Sequence, residues 1–151
     1  MENLTDRGQP AYLRVIMLLL GVPNMVTGAW ALASPQGWFD NFPGWAPALV
    51  AAYPPFNDHL VVDAGAGLFA SGLVMTAAAV WPKRDIAILA SIAYLAFALP
   101  HAAWHWVNPS DQLTASEDVV STASLVLAVV GAAFVLAWQW RKIHVKGEVS
   151  A

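Results

Sequence analysis

Four long apolar stretches constrain this chain more than any other feature of its sequence. They cover about residues 12–33, 59–81, 86–107 and 119–140. A helix needs roughly 20 predominantly apolar residues to cross a bilayer, and each stretch has that length. Only 11% of the residues are charged, less than half of the roughly one quarter found in soluble domains. We therefore predict one all-α domain over residues 1–151, an integral membrane four-helix bundle embedded in lipid.

The basic residues all belong to one end of this predicted bundle. The connections over 34–58 and 108–118 contain no Lys or Arg. Basic residues are enriched on the cytoplasmic side of membrane proteins. This distribution predicts a multi-pass protein of the plasma membrane, with both termini in the cytoplasm and the two longer connections outside. The seven basic residues are Arg7, Arg14, Lys83, Arg84, Arg141, Lys142 and Lys146.

The connection between the first two spans is long, aromatic and rich in proline. It covers residues 34–58 and includes Trp38, Phe39, Phe42 and Trp45. Such a segment is too apolar to extend into water, and amphipathic segments of this kind lie in the membrane interface. We predict a surface-lying lid over the bundle, with a short helix over 46–52.

Ionisable residues cluster where the second span begins and where the third span ends. His59 and Asp63 are four residues apart, and so are His101 and His105. This spacing places each pair on one face of its helix. A rise of about 1.5 Å per residue brings both pairs to a similar depth, near the outer boundary of adjacent antiparallel helices. Ionisable residues within spans are costly and usually functional.

Three imidazoles and one carboxylate form a ligand set suited to a divalent transition metal such as zinc, copper or iron. We predict that His59, Asp63, His101 and His105 bind this metal near the outer leaflet. Asp63 is alternatively the catalytic base that orients a metal-bound water. A metal site in this position suits a lipid-directed hydrolase or an oxidoreductase, and the pattern does not distinguish the two.

Polar residues beside this quartet have two interpretations. Asn57 and Asp118 could hydrogen-bond to metal ligands and orient them. Asp118 also suits the positive dipole at the N-terminus of its helix. Thr114 and Glu117 have the spacing of a capping box, and Asp58 is expected to cap the second span.

Other functions are compatible with the same sequence. The quartet could form a metal-free hydrogen-bonded network or contribute to a quinone site flanked by Trp104 and Trp106. Haem is less favoured, because it needs only one or two axial His. A non-catalytic alternative is an accessory subunit or a homo-oligomer, since the small residues over 64–72 permit close helix approach. The net charge of −3 argues against nucleic acid, and the absence of Cys excludes disulfides and thiolate metal sites.

The two His motifs resemble those of a group of small four-span membrane proteins common in actinobacterial genomes. Residues 57–65 match the pattern Asn-Asp/Glu-His-x-x-x-Asp-x-Gly, and residues 100–105 match Pro-His-x-x-x-His. The resemblance implies four spans and an important His/Asp set, without implying a reaction. Relatives tend to have Tyr and a further His near the second motif. This chain has Trp104 and no further His there, which argues against a dinuclear site.

Overall fold

A computed structural model describes residues 9–148, with side chains described as far as residue 141. Within this range the chain is all-α. Four of its helices are long and apolar enough to cross a membrane, which confirms the prediction of four spans. Arg7 lies outside the described residues. The five helices are α1 (Ala11–Ala33), α2 (Pro35–Asn41), α3 (Asp58–Val80), α4 (Arg84–Val107) and α5 (Ala115–Glu148).

The short helix of the long connection lies earlier than predicted. Residues 46–52 form turns, and the helix is α2, over Pro35–Asn41. Pro35 occupies the first turn of α2, where its fixed φ favours a helix and its missing N–H costs nothing. The run between Pro47 and Pro54 is too short to offset the cost of helix nucleation. The prediction of a helix at 46–52 was therefore wrong.

Glycines bring α1 and α3 into backbone contact. A Cβ atom on Gly28 would lie 2.4 Å from the Phe69 nitrogen, and one on Gly72 would lie 2.5 Å from the Met25 nitrogen. Neither position has room for any side chain. Small residues at helix contacts permit such close approach in membranes. Gly65 and Gly72, predicted above as a surface for a partner, thus pack against α1 of the same chain.

The four long helices form a closed ring in the order α1, α3, α4, α5. Each packs against its two neighbours, and α1 lies diagonally opposite α4 without close backbone contact in the described part of the chain. The turn over 81–83 makes α3 and α4 antiparallel neighbours, as predicted. Leu13, Met17, Met75 and Val135 are fully buried in the core.

Two arginines bond to carbonyls of neighbouring helices at what we call the basic end of the bundle, where α1 and α4 begin and α3 and α5 finish their apolar runs. The Arg14 guanidinium donates to the Ala79 carbonyl at 2.9 Å. Arg84 donates to the Gln139 carbonyl at 2.9 and 3.1 Å. Ala79 is in the last turn of α3, where basic side chains satisfy free helix carbonyls, whereas Gln139 lies within α5. The two arginines thus link α1 to α3 and α4 to α5.

The opposite end, which we call the long-loop end, carries the connections 34–57 and 108–114. Trp38 and Phe39 of α2 are buried against Ala31 of α1 and Val61 of α3. This aromatic contact fixes the first half of the long connection on the α1–α3 pair. The remainder crosses toward α4 and α5, where the Ser110 hydroxyl donates to the Ala52 carbonyl.

Candidate functional site

His59 and Asp63 form one pair on the outward surface of α3. His59 Nε2 lies 3.3 Å from Asp63 Oδ2, and the side chains are 82% and 63% exposed. The helical spacing of four residues explains the contact. Both side chains therefore lie outside the helix interface that α3 shares with α1.

His101 and His105 form a second pair, on α4. Their ring centroids are 4.9 Å apart, with a tilt of 53° between the rings. Phe97, one turn earlier, stacks on His101 at 5.7 Å. His101 is exposed and His105 is half-buried. Stacking on one side and the neighbouring imidazole on the other restrict how the His101 ring can turn.

The two pairs lie in the same layer of the bundle but do not share one ligand sphere. A Cβ atom on Gly67 would lie 3.0 Å from the Phe97 ring, and Asp63 and His101 are each one turn beyond these residues. No group of three or more His, Asp or Glu close enough to hold a metal ion is found within residues 9–148. The two pairs thus lie at similar depth on helices that pack together, but Asp63 is 63% exposed and does not join the imidazoles of α4 in a metal-sized group.

Tyr53 connects His105 to Asp118. His105 Nδ1 lies 3.1 Å from the Tyr53 hydroxyl, which donates to Asp118 Oδ1 at 3.5 Å. Because a phenol has one proton to donate, the tautomer with the proton on His105 Nδ1 is the one that satisfies both contacts. This arrangement leaves Nε2 of His105 with a free lone pair. The Ser110 N–H also donates to Asp118 Oδ1, at 3.4 Å.

Tyr53 is a functional candidate that the sequence did not reveal. It lies in the connection 34–57 and reaches α4 and α5 only because α2 and the aromatic contacts direct the chain there. Burial and the neighbouring Asp118 carboxylate raise the pKa of Tyr53 above its ordinary value of 10.0. The hydroxyl therefore remains a proton donor throughout the physiological range. We call Tyr53, His101, His105 and Asp118 the polar cluster.

Several of the other polar residues cap the N-termini of α3 and α5. Asn57 is the N-cap of α3, and its side chain accepts from the Leu60 N–H at 3.1 Å; the expectation that Asp58 caps this helix was wrong. The extended backbone of Asn57 positions its side-chain carbonyl group to accept this hydrogen bond. Thr114 and Glu117 form the predicted capping box, with the Thr114 N–H donating to Glu117 at 2.8 Å.

A groove begins beside the polar cluster and runs along α5. It has a volume of about 530 Å³ and is lined by one residue of α4 and one face of α5. Asp118 is half-buried at the start of the groove and Thr122 is buried behind it. The remaining walls are apolar. The lining residues are Trp106, Asp118, Val119, Thr122, Ala123, Val126, Leu127 and Val130.

The polar cluster offers imidazole lone pairs, a phenol that donates a proton and a carboxylate, all at one end of a membrane bundle. Comparison of the chain with models of protein families, with curated proteins and with solved structures found no match.

Proposed function

We propose that this integral membrane protein binds a divalent transition metal, namely zinc, copper or iron, at its long-loop end through His101 and His105. We place both termini in the cytoplasm and the metal at the outer face of the plasma membrane. The distribution of basic residues supports this orientation, since Arg14, Lys83 and Arg84 belong to the basic end and the long connections have none.

The bonding of His105 carries the proposal. Imidazoles that bind metals almost always donate their other ring N–H to a fixed partner, which sets the tautomer and the ring orientation. His105 donates through Nδ1 to Tyr53, which Asp118 holds in turn. The Nε2 lone pair is therefore available to a cation. His101, four residues earlier with its ring 4.9 Å away, is the natural second ligand.

A carboxylate from α3 completes this site. Asp63 lies one turn beyond the contact between Gly67 and Phe97 and is 63% exposed in the metal-free structure, so the proposal requires Asp63 to turn toward His101 when the metal binds. Imidazole and carboxylate ligands together suit zinc and iron. In this arrangement His59 stays beside Asp63, which its Nε2 atom approaches to 3.3 Å, or enters as a fourth ligand.

Three protein ligands leave one coordination position open to water or substrate, as in catalytic zinc sites. A metal held by these residues would supply Lewis acidity and lower the pKa of a bound water. Asp63 is then either a ligand or the base that orients this water. The location favours substrates that partition into the outer leaflet, so a lipid-directed hydrolase or an oxidoreductase is the class of enzyme that we propose.

Titration of the purified protein with Zn²⁺ in detergent tests the proposal. We expect one high-affinity ion per chain, and we expect the double variant His101→Ala/His105→Ala to lose it. His144→Ala is the matched control, because this fourth His follows the last apolar span; it should leave binding unchanged. Equal binding by the double variant and the wild type, or no binding by the wild type, would overturn the proposal.

The exposure of His59 and Asp63 also favours a second function, that of an accessory subunit. A polar pair that is 82% and 63% exposed on a spanning helix is costly against lipid, and a partner helix would relieve this cost. Purification in a mild detergent followed by native electrophoresis tests it. A second polypeptide at fixed stoichiometry, lost from His59→Leu/Asp63→Leu but retained by His101→Ala, supports this alternative.

A further inference from the structure

The groove along α5 has the length of one membrane leaflet. From Asp118 to Val130 the helix rises by about 18 Å, at 1.5 Å per residue. One leaflet contributes half of the roughly 30 Å of bilayer hydrocarbon. The deeper walls are apolar side chains such as Val126 and Val130. A single acyl chain of the surrounding leaflet therefore matches the groove in both length and polarity.

The start of the groove is acidic. Asp118 is half-buried there, and the connections 34–58 and 108–118 contain Asp or Glu at five positions and no Lys or Arg. These acidic positions are Asp40, Asp58, Asp111, Glu117 and Asp118. Such a surface repels anionic headgroups and attracts cationic ones.

One oxygen of Asp118 is already occupied. Oδ1 accepts from the Tyr53 hydroxyl and the Ser110 N–H, which hold the carboxylate in place. No hydrogen bond from described residues reaches Oδ2. A carboxylate can accept at both oxygens, so Asp118 can bind a second donor that arrives through the groove.

From these features we infer that the groove between α4 and α5 binds a lipid with a primary ammonium headgroup, whose ammonium bonds to Asp118 and whose acyl chain lies against α5. Trp106, 71% exposed at the edge of the groove, covers the region between headgroup and chain. Amphipathic Trp side chains favour this depth in membranes. The inference is independent of the proposed metal, since it uses no imidazole.

Native mass spectrometry of the metal-free wild-type protein tests this inference. The delipidated chain is mixed with equal amounts of phosphatidylethanolamine and phosphatidylglycerol that carry identical acyl chains. We expect phosphatidylethanolamine to be retained about two- to fivefold more, the range that a partly exposed ion pair provides. Asp118→Asn should reduce this preference while leaving acyl-chain binding in place. Equal retention of both lipids by the wild type, or an unchanged preference in Asp118→Asn, would overturn the inference.

Filling the groove provides a second test that does not depend on charge. Ala123 is an exposed lining residue, and Ala123→Trp should reduce retention of both lipids at least threefold. The matched control is Leu89→Trp, which places the same ring on an exposed position of α4 outside the groove. Equal lipid retention by the two Trp variants would show that the chain binds elsewhere and contradict the inference.

Discussion

The contact between α1 and α3 gives a sharp prediction for the variant Gly28→Ala. The new Cβ atom would lie 2.4 Å from the Phe69 nitrogen and 2.6 Å from the Gly65 oxygen. The shorter distance is about 1 Å below the 3.4 Å at which ordinary van der Waals contact begins. Both neighbours are backbone atoms, so no side-chain rotation relieves the overlap, and α1 must move away from α3. Overpacking of this kind costs about 1–3 kcal/mol.

Gly131→Ala is the matched control on α5. Its Cβ atom would lie 3.6 Å from the nearest neighbour, a methyl group of Leu20. Ala is better than Gly in a helix by about 0.8–1 kcal/mol. We expect this variant to be at least as stable as the wild type.

Unfolding in mixed detergent and sodium dodecyl sulfate micelles, followed by far-ultraviolet circular dichroism, measures the difference. We expect Gly28→Ala to unfold at a lower dodecyl sulfate fraction than the wild type, and Gly131→Ala at an equal or higher fraction. The reasoning is refuted if the two variants are equally stable, because the backbone contact would then not limit the approach of α1 to α3.

Four further predictions concern the polar cluster, the helix ends and the topology. Tyr53→Phe should weaken Zn²⁺ binding about 10- to 100-fold in a calorimetric titration, the usual effect of removing the partner of a metal-bound His; unchanged affinity would remove Tyr53 from the site. The raised pKa of Tyr53 means that its hydroxyl stabilises the fold at low and neutral pH and ceases to do so only above its usual titration range. The difference in unfolding free energy between the wild type and Tyr53→Phe should therefore stay constant from about pH 6 to about pH 9. Thr114→Ala should cost about 0.5–2 kcal/mol through loss of the capping box, measured by the same unfolding assay. Because the chain has no Cys, Gln112→Cys and Pro82→Cys can be labelled singly; an impermeant maleimide should modify only the former in intact cells, and the reverse pattern would invert the proposed topology.

The hydropathy pattern predicted the four spans because a membrane helix depends mainly on local composition and length. The close approach of α1 to α3 was harder to predict. Gly28 and Gly65 were visible as small residues, but their partners follow from how the helices rotate about their axes, which is a property of the assembled bundle. For the same reason Gly65 packs against α1 of the same chain, whereas the sequence pattern predicted it at a surface for a partner.

The depth of each residue along its helix was predictable from the sequence, whereas the direction in which its side chain points was not. Counting residues placed Asp63 and His101 in one layer, whereas the outward orientation of Asp63 emerges only from the packing of α3 between α1 and α4. The position of Tyr53 was the hardest to predict. Its contact with His105 joins residues 52 positions apart in the chain through an irregular segment, so no local pattern could indicate it.

X-ray absorption at the metal edge of the Zn²⁺-loaded protein most directly tests the claim that His101 and His105 bind a metal. Imidazole rings produce a characteristic scattering pattern at Zn–N distances of about 2.0–2.1 Å. We predict two or three imidazoles in the wild type and one fewer in each single variant, His101→Ala and His105→Ala. A wild-type spectrum without imidazole ligands, or the same imidazole count in all three proteins, would contradict the account.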